Sequence, residues 1–246
     1  MKWEQFDSPS ALADHAAHLL LTAIREEPRL VLGLPTGRTP VGMYDRVVVE
    51  CGREYHCFRE VTTFNLDEYV GVPPEHPGSY FAYMRQHLFD HVDIDPANAH
   101  IPHGTAPDLT GECIRYENEI RDAGGLGLTF LGLGRNGHIG FNEPGTPFDA
   151  RTRVVELTQS TRHANADLFP EGQVPTHAIT MGIGTILESR AIVLLVAGSG
   201  KEEAVERLRS GIVSEEFPAS ALWKHPNVSV LSGVPGSQPG TTATTG

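Results

Sequence analysis

The sequence predicts an α/β fold built on an open, mostly parallel sheet. Two observations support this prediction: short apolar or β-branched runs recur along the 246 residues, and segments with helical periodicity lie between them. Strands that alternate with helices are joined by crossovers and therefore run parallel. Because no linker interrupts the chain, residues 1–234 are predicted to form a single domain, a usual size for an α/β unit.

The predicted elements start with an amphipathic helix. Ser8 is its expected N-cap, and apolar residues recur at helical spacing from Leu12 to Ile24, before Pro28. Strands are predicted from apolar runs at residues 30–34, 61–66, 128–133, 192–197 and 228–231. Further helices are predicted from periodicity at residues 40–49, 79–89, 109–121 and 201–209.

Two segments do not fit this alternation. Residues 145–175 combine helix-like stretches with many polar groups between two strands, so we expect a lid that opens and closes over a site. The tail, residues 235–246, is rich in Gly, Ser, Thr and Pro and has little to bury, so it is expected to be disordered.

Composition narrows the function classes. The net charge is −12 and the Lys and Arg residues are scattered, so nucleic acid is not an expected partner. No apolar stretch reaches the roughly 18 residues of a membrane span, and acidic residues precede the first apolar run, so a cytoplasmic location is expected. Cys51, Cys57 and Cys113 are an odd number that need not form a disulfide framework, which suits a reducing compartment.

Two glycine-containing loops have the features of anion sites. In open parallel sheets, ligands bind beyond the carboxyl ends of the strands. After the strand at 30–34, Gly37 frees the backbone between the hydroxyls of Thr36 and Thr39, which suits a phosphate; an ordinary capped turn is the alternative. In the loop at 198–201, Lys201 follows a backbone nest that could meet an anion, although the loop is not a Walker motif.

Two other loops carry candidate acid/base groups. Asp67 and Glu68 follow a strand, where one carboxylate could move a proton between adjacent carbons, although a solvated pair is commoner. His138 lies in a turn after Asn136, and Glu143 five residues on could fix its tautomer. No metal is predicted, because no HxxxH or HxH pairing is found around His76, His138, His163 or His177.

Together, these loops resemble the glucosamine-6-phosphate deaminase (isomerase) family. The matching motifs lie at residues 34–37, 64–71, 76–80, 136–144, 151–153 and 175–180, and the likeness covers residues 30–230. The resemblance implies a Rossmann-like sheet with helices on both faces. It also implies that glucosamine 6-phosphate and water are converted to fructose 6-phosphate and ammonia, with no metal or organic cofactor.

The resemblance assigns a role to each candidate residue. His138 would open the sugar ring, and Glu143 would orient and charge-tune the imidazole. Asp67 would carry a proton from C2 to C1 through an enolamine. The phosphate would be held by Thr36, Gly37, Thr39 and Lys201.

Three departures from the family pattern concern this site. Asn136 stands where many members have Asp, so His138 is expected to rely on Glu143 alone as its anionic partner. Asp167 replaces a lid arginine that helps bind the substrate phosphate, and an acid there would repel the phosphate. Arg38 replaces a small residue in the phosphate loop, so we hypothesise that its guanidinium supplies the missing contact.

A fourth difference concerns regulation. Members activated by N-acetylglucosamine 6-phosphate carry Lys at an allosteric site where this chain has Val155, so no such activation is expected.

Three alternative functions remain open at this point. A deaminase for galactosamine 6-phosphate would share the His138 turn and the segment at 218–223. Asp167, which departs from the glucosamine family pattern, is compatible with this alternative. The 6-phosphogluconolactonases share the fold, but residues 64–71 and Glu143 favour the deaminases. A non-catalytic sugar-phosphate sensor is the reading from another class, although residues 1–29 are too short for a helix-turn-helix. Neither the C4 epimer nor the oligomeric state is predicted.

Overall fold

The computed structural model describes residues 1–53, 57–169 and 174–233. The strands of this part of the chain are β1 (Lys2–Gln5), β2 (Val31–Leu34), β3 (Thr62–Asn65), β4 (Asp67–Tyr69), β5 (Ala99–His100), β6 (Leu128–Gly132), β7 (Arg153–Glu156), β8 (His177–Thr180), β9 (Ala191–Val196) and β10 (Val228–Ser232). A seven-stranded sheet has the order β1-β10-β9-β6-β2-β3-β5, and all of its pairings are parallel. The predicted α/β class with a mostly parallel sheet is therefore confirmed.

Helices cover both faces of this sheet. They are α1 (Pro9–Glu26), α2 (Val41–Cys51), α3 (Tyr80–His87), α4 (Leu109–Asp122), α5 (Gln159–Ala164), α6 (Ile183–Leu187) and α7 (Glu202–Arg209). Alternate strand residues divide between two apolar cores: Phe130 packs with side chains of α1 and α2, whereas Leu131 packs with those of α4, α6 and α7. This two-sided burial explains why the central strands are continuously apolar in sequence.

The predicted elements agree with the observed ones to within a few residues at most ends. Ser8 is the N-cap of α1, and its Oγ accepts a hydrogen bond of 3.1 Å from the N–H of Ala11. The strands β1 and β5 were missed, because both are short and neither carries an apolar run.

A second sheet was also missed. It is three-stranded and antiparallel in the order β4-β8-β7, and the row at one end of it aligns Asp67 with Thr180 and Thr180 with Arg153. The predicted lid at 145–175 is therefore not one loop, since β7 lies inside it, followed by α5 and a 3₁₀ turn at Ala166–Leu168. Residues 170–173 of that segment and the predicted tail at 235–246 lie outside the described residues.

The cysteines differ from expectation. Cys51 and Cys57 are joined by a disulfide with their Cα atoms 5.5 Å apart, whereas Cys113 is free and buried. Spacing along the chain could not identify this pair, because pairing depends on how the end of α2 meets the following loop. A single disulfide is not a disulfide framework. Its presence nevertheless means that the cysteine content does not indicate a reducing compartment. Among the described residues, no helix has the length and apolar character needed to cross a membrane.

Candidate active site

The predicted phosphate loop at 35–40 leaves the carboxyl end of β2 and is held by two tyrosine hydroxyls. The hydroxyl of Tyr44 donates to the carbonyl of Pro35 at 2.6 Å, and the hydroxyl of Tyr83 donates to the carbonyl of Gly37 at 2.6 Å. Gly37 has φ 99°, a left-handed conformation that other residues rarely adopt. These two hydrogen bonds hold the carbonyl groups of the loop in place. The backbone on the opposite, exposed side is therefore held in a defined conformation.

Arg38 and Asp167, two charged residues singled out in the sequence, lie next to each other. Arg38 Nη2 lies 3.6 Å from Asp167 Oδ2, and the two side chains are 88% and 91% exposed. Such an exposed ion pair adds little stability, because water screens it and ordering two side chains costs entropy. The structure therefore pairs Asp167 of the predicted lid with Arg38 of the predicted phosphate loop.

Asp67 lies on β4 directly beneath the histidine turn. A methyl group added at Gly140 would be 3.5 Å from Asp67 Oδ2 and 3.0 Å from Thr180 Oγ1, so this turn passes over the carboxylate. The Asp67 side chain is buried, and burial, followed by the charge of Glu68, raises its pKa to about 8. A carboxyl group of this kind can exchange a proton near neutral pH.

Glu68 has a structural role. Its carboxylate accepts N–H groups of Tyr69 at 2.8 Å, Tyr80 at 3.0 Å and Phe81 at 2.9 Å, and the last two belong to the first turn of α3. Burial nevertheless outweighs these donors and raises its pKa to about 7. Asp67 and Glu68 are therefore buried and not solvated. Glu68 anchors the start of α3, whereas Asp67 is available for proton transfer.

The histidine turn contains a continuous hydrogen-bonded path. His138 Nδ1 lies 2.8 Å from Asn136 Oδ1, and Asn136 Nδ2 donates to Glu143 Oε2 at 2.6 Å. Because the carboxylate requires the amide N–H, the amide oxygen faces the ring, so Nδ1 carries the hydrogen and Nε2 keeps its lone pair. Glu143 Oε2 is 3.8 Å from Nδ1, too far for a direct hydrogen bond. Glu143 is the expected anionic partner of His138, and Asn136 connects the two side chains.

The charge environment of His138 is mixed. Burial lowers the pKa of the imidazole, Glu143 opposes this, and Lys201 adds to the lowering. The neutral imidazole is therefore favoured near pH 7, which leaves Nε2 free to accept a proton.

Gly134 is required by close approach to the imidazole. A methyl group there would lie 2.4 Å from the Cγ, Nδ1 and Cε1 atoms of His138. We expect Gly134→Ala to rotate the imidazole and to lower kcat by about 100-fold with a small change in KM, because proton transfer depends on alignment. Steady-state kinetics test this, with Gly132→Ala as a control, because a methyl there has no heavy atom within 4 Å and Gly132, like Gly134, does not have a positive φ. An unchanged kcat in Gly134→Ala would refute it.

Lys201 lies beside the same turn. Its Nζ donates to the carbonyl of Leu133, and its pKa is lowered by burial and then by the nearby Arg135. A methyl at Gly200 would be 3.2 Å from Arg135 Nε, so the guanidinium lies over this loop. Two neighbouring cations suit a dianion. Arg135 was not singled out in the sequence, although its place before the histidine turn could have indicated it.

The predicted lid contacts Glu143 through side chains that sequence reasoning missed. Thr161 Oγ1 donates to Glu143 Oε1 at 2.7 Å, and Thr158 Oγ1 lies 3.4 Å from the same oxygen. The only signal in the sequence was Thr158, a residue type that favours a helix N-cap. In the structure its Oγ1 caps α5 by accepting the N–H of Thr161 at 3.2 Å. Among the described residues, no group of three or more His, Cys, Asp or Glu side chains could hold a metal ion.

Comparisons with known proteins agree with this arrangement. Residues 5–231 match the family model described as glucosamine-6-phosphate isomerases/6-phosphogluconolactonase. The glucosamine-6-phosphate deaminase of Lysinibacillus sphaericus is 49% identical over 95% of this chain and 99% of its own length. Glucosamine-6-phosphate deaminase 1 of Bacillus subtilis is 47% identical over 94% of this chain and 96% of its own length.

Solved structures give the same result. A monomeric glucosamine-6-phosphate deaminase superposes with a TM-score of 0.92 and 47% identity, over 95% of this chain and 97% of the other. The 6-phosphogluconolactonase of Thermotoga maritima superposes with a TM-score of 0.74 over 94% of this chain and 98% of the other, but at 18% identity it shares the fold alone. The chain therefore belongs to the glucosamine-6-phosphate isomerase/6-phosphogluconolactonase family.

Proposed function

We propose that this protein is a glucosamine-6-phosphate deaminase, which converts glucosamine 6-phosphate and water to fructose 6-phosphate and ammonia. The observation that supports it most is the position of Asp67, a buried carboxyl group beneath the turn that holds His138 and Glu143. The names of relatives that share about half of its residues point the same way. A lactone hydrolysis would not need a carboxylate that moves hydrogen between carbons.

The first proposed step is ring opening. His138 Nε2 accepts the proton of the C1 hydroxyl and returns it to the ring oxygen, which breaks the C1–O5 bond and gives the open-chain aldehyde. Glu143, acting through Asn136, holds Nδ1–H and favours the cationic imidazole that forms during the transfer. An imidazole of lowered pKa is restored to its neutral form at the end of the step.

The second proposed step moves a hydrogen from C2 to C1. The Asp67 carboxylate takes the C2 proton while a proton of the C2 ammonium passes to the C1 oxygen, which gives an enolamine. The same carboxyl group then delivers a proton to C1, which leaves an iminium at C2. Water adds to the iminium and ammonia departs. The substrate ammonium next to Asp67 would lower the raised pKa of that carboxyl, because an opposite charge favours its ionised form.

We propose that the substrate phosphate binds between the loop at 35–40 and Lys201. Thr36, Gly37 and Thr39 supply donors on the exposed side of the fixed loop, and Lys201 supplies positive charge. Arg38 belongs to the same loop and lies next to Asp167. Phosphate binding would turn Arg38 away from Asp167, since a dianion is the stronger partner.

Arg38→Ala is expected to raise KM for the sugar phosphate about tenfold with kcat changed less than about threefold, because the guanidinium binds a group remote from the reacting carbons. Asp167→Arg is expected to lower KM by about as much, since it replaces a repulsive charge with an attractive one. Steady-state kinetics at constant ionic strength measure both, with Arg53→Ala, an exposed arginine of the ion pair with Glu50, as control. An unchanged KM in Arg38→Ala would remove this residue from the phosphate site.

The direct test of the function is ammonia release, measured with glucosamine 6-phosphate and galactosamine 6-phosphate side by side. We expect kcat/KM for the gluco substrate to exceed that for the galacto substrate by at least about tenfold, a difference of about 1.4 kcal/mol in transition-state binding. The reverse order would establish the galactosamine activity, and 6-phosphogluconolactone hydrolysis without ammonia release would establish the lactonase reading. Tight binding of either sugar phosphate without turnover would establish a sensor.

We also propose that residues 1–234 act as one domain in the cytoplasm, where phosphorylated sugars are retained. The part of the predicted lid that opens and closes includes residues 157–169. Val155 packs against the aromatic cluster around Tyr69, so the place of an allosteric lysine is taken by an apolar contact. Activation by N-acetylglucosamine 6-phosphate is therefore not expected.

A further inference from the structure

We infer that Thr161 is a positioning residue that links closure of the lid segment (residues 157–169) to the acid/base state of His138. This inference rests on the proposed function, because it assigns the second partner of the carboxylate that tunes His138. It differs from the roles proposed above, since Thr161 is assigned no contact with the sugar or its phosphate and acts through Glu143.

The hydrogen bonds form one path from the lid segment to the imidazole. Thr161 Oγ1 donates to Glu143 Oε1 at 2.7 Å, while Glu143 Oε2 accepts Asn136 Nδ2 at 2.6 Å. Asn136 Oδ1 in turn faces His138 Nδ1 at 2.8 Å. One carboxylate oxygen is therefore held by the lid segment and the other by the histidine turn.

The hydroxyl of Thr161 is oriented for this task. Thr158 Oγ1 donates to Thr161 Oγ1 at 3.0 Å, which directs the hydrogen of Thr161 towards Glu143. Thr161 is 8% exposed, so water competes poorly for its hydroxyl. A threonine on the first turn of α5 thus presents one fixed donor to the carboxylate.

The end of the lid segment packs against aromatic side chains and a neighbouring loop, so these contacts are gained or lost together. Phe169 is buried against Tyr69, with ring centroids 5.3 Å apart, and stacks on His76 at 5.4 Å. A methyl at Gly78 would be 2.7 Å from the carbonyl of Leu168, so the segment rests directly on that loop. If the segment lifts to admit substrate, the bond from Thr161 to Glu143 breaks with these contacts.

The electrostatic consequence has a definite sign. The charged groups that act on His138 are Glu143, which lies 3.8 Å from Nδ1 and raises the pKa of the imidazole, and Lys201, which lowers it. Release of Glu143 Oε1 lets the carboxylate rotate away, so the pKa of His138 falls. The imidazole is therefore a stronger base when the segment is closed over the sugar than when it is open.

The experiment compares Thr161→Val, which removes the hydroxyl at equal volume, with Thr161→Ser, which keeps it. Ser160→Ala is the matched control, since Ser160 is an exposed hydroxyl of the same helix whose partner is Thr158 and not Glu143. Two quantities are measured: kcat and KM over a range of pH, and the pKa of His138 by NMR titration without substrate, with the signal assigned through His138→Gln. If Thr161→Val does not fold, Thr161→Ala removes the same hydroxyl.

We expect Thr161→Val to lower kcat about tenfold and the pKa of His138 by about half a unit, with KM changed less than about twofold. Thr161→Ser and Ser160→Ala should match the wild type. An unchanged pKa, a loss confined to KM, or the same loss in Thr161→Ser would overturn the inference. Absence of ammonia release by the wild type would refute the proposed function instead, and the NMR titration would still decide the role of Thr161.

Discussion

Replacing His138 with Gln is expected to lower kcat for ammonia release from glucosamine 6-phosphate by about 10³-fold, within the range for loss of a positioned acid/base group. Glutamine keeps a polar side chain of similar length but cannot accept and return the ring-opening proton. KM should change little, because the phosphate contacts of Lys201 and the loop at 35–40 are untouched. The part of the acid limb of the pH profile that reports protonation of His138 should disappear in the variant, which leaves the part that reports protonation of Asp67.

The measurement is steady-state ammonia release over a range of pH, with His18→Gln as the control because His18 is exposed on α1. A kcat for His138→Gln within about tenfold of the wild type would show that ring opening does not depend on this imidazole. A large rise in KM with unchanged kcat would instead make His138 a binding residue.

Asp67→Asn is expected to abolish the hydrogen transfer between C2 and C1, with a loss in kcat of about 10³-fold or more, because the amide cannot take a proton from carbon. Substrate binding should survive, since the amide is nearly isosteric with the carboxyl group. Ammonia release and isothermal titration with the sugar phosphate measure the two properties separately. Residual kcat above about a tenth of the wild-type value would transfer the role to another base.

The same substitution is expected to stabilise the fold at neutral pH. Burial raises the pKa of Asp67 from its ordinary 3.8 to about 8, so between these values the unfolded chain has lost a proton that the folded protein keeps. The stability of the wild type therefore declines as pH rises through this window, and Asn, which does not titrate, removes the decline. A gain of even about 1–2 kcal/mol would raise Tm by several degrees in a chain of this size.

Thermal unfolding at two pH values tests this effect. The Tm of Asp67→Asn should exceed that of the wild type at pH 7, and the difference should be small near pH 4, where the carboxyl is protonated in the folded protein and about half protonated in the unfolded chain. Asp122→Asn, an exposed acid at the end of α4, is the control and should show no such difference. A lower Tm for Asp67→Asn at both pH values would mean that the carboxylate makes a stabilising contact.

Much of the fold follows from local patterns in the sequence. Ser8 marked the start of α1, and apolar runs marked the central strands, because burial on both faces of a parallel sheet leaves little choice of residue. The small sheet was not predictable in this way. Its β4 strand is only Asp67–Tyr69, and β4 pairs with β8, which lies more than a hundred positions further along the chain.

The candidate site shows the same division. Asp67 and His138 were candidates because they follow the carboxyl ends of β3 and β6, which lie at the same edge of the parallel sheet. The role of Thr161 could not be predicted, because its contact with Glu143 depends on how α5 docks and not on spacing. The disulfide between Cys51 and Cys57 and the position of Arg135 over Gly200 likewise depend on three-dimensional packing.

The central claim is that Asp67, His138 and Glu143 surround one aminated hexose 6-phosphate, and a crystal structure of Asp67→Asn with glucosamine 6-phosphate tests it most directly. The account predicts residue 67 within about 3.5 Å of C1 and C2, and His138 Nε2 within about 3.2 Å of the C1 hydroxyl or the ring oxygen. The phosphate should contact Gly37 and Lys201. A sugar bound with C1 and C2 remote from residue 67, or with its phosphate remote from Gly37 and Lys201, would contradict the account.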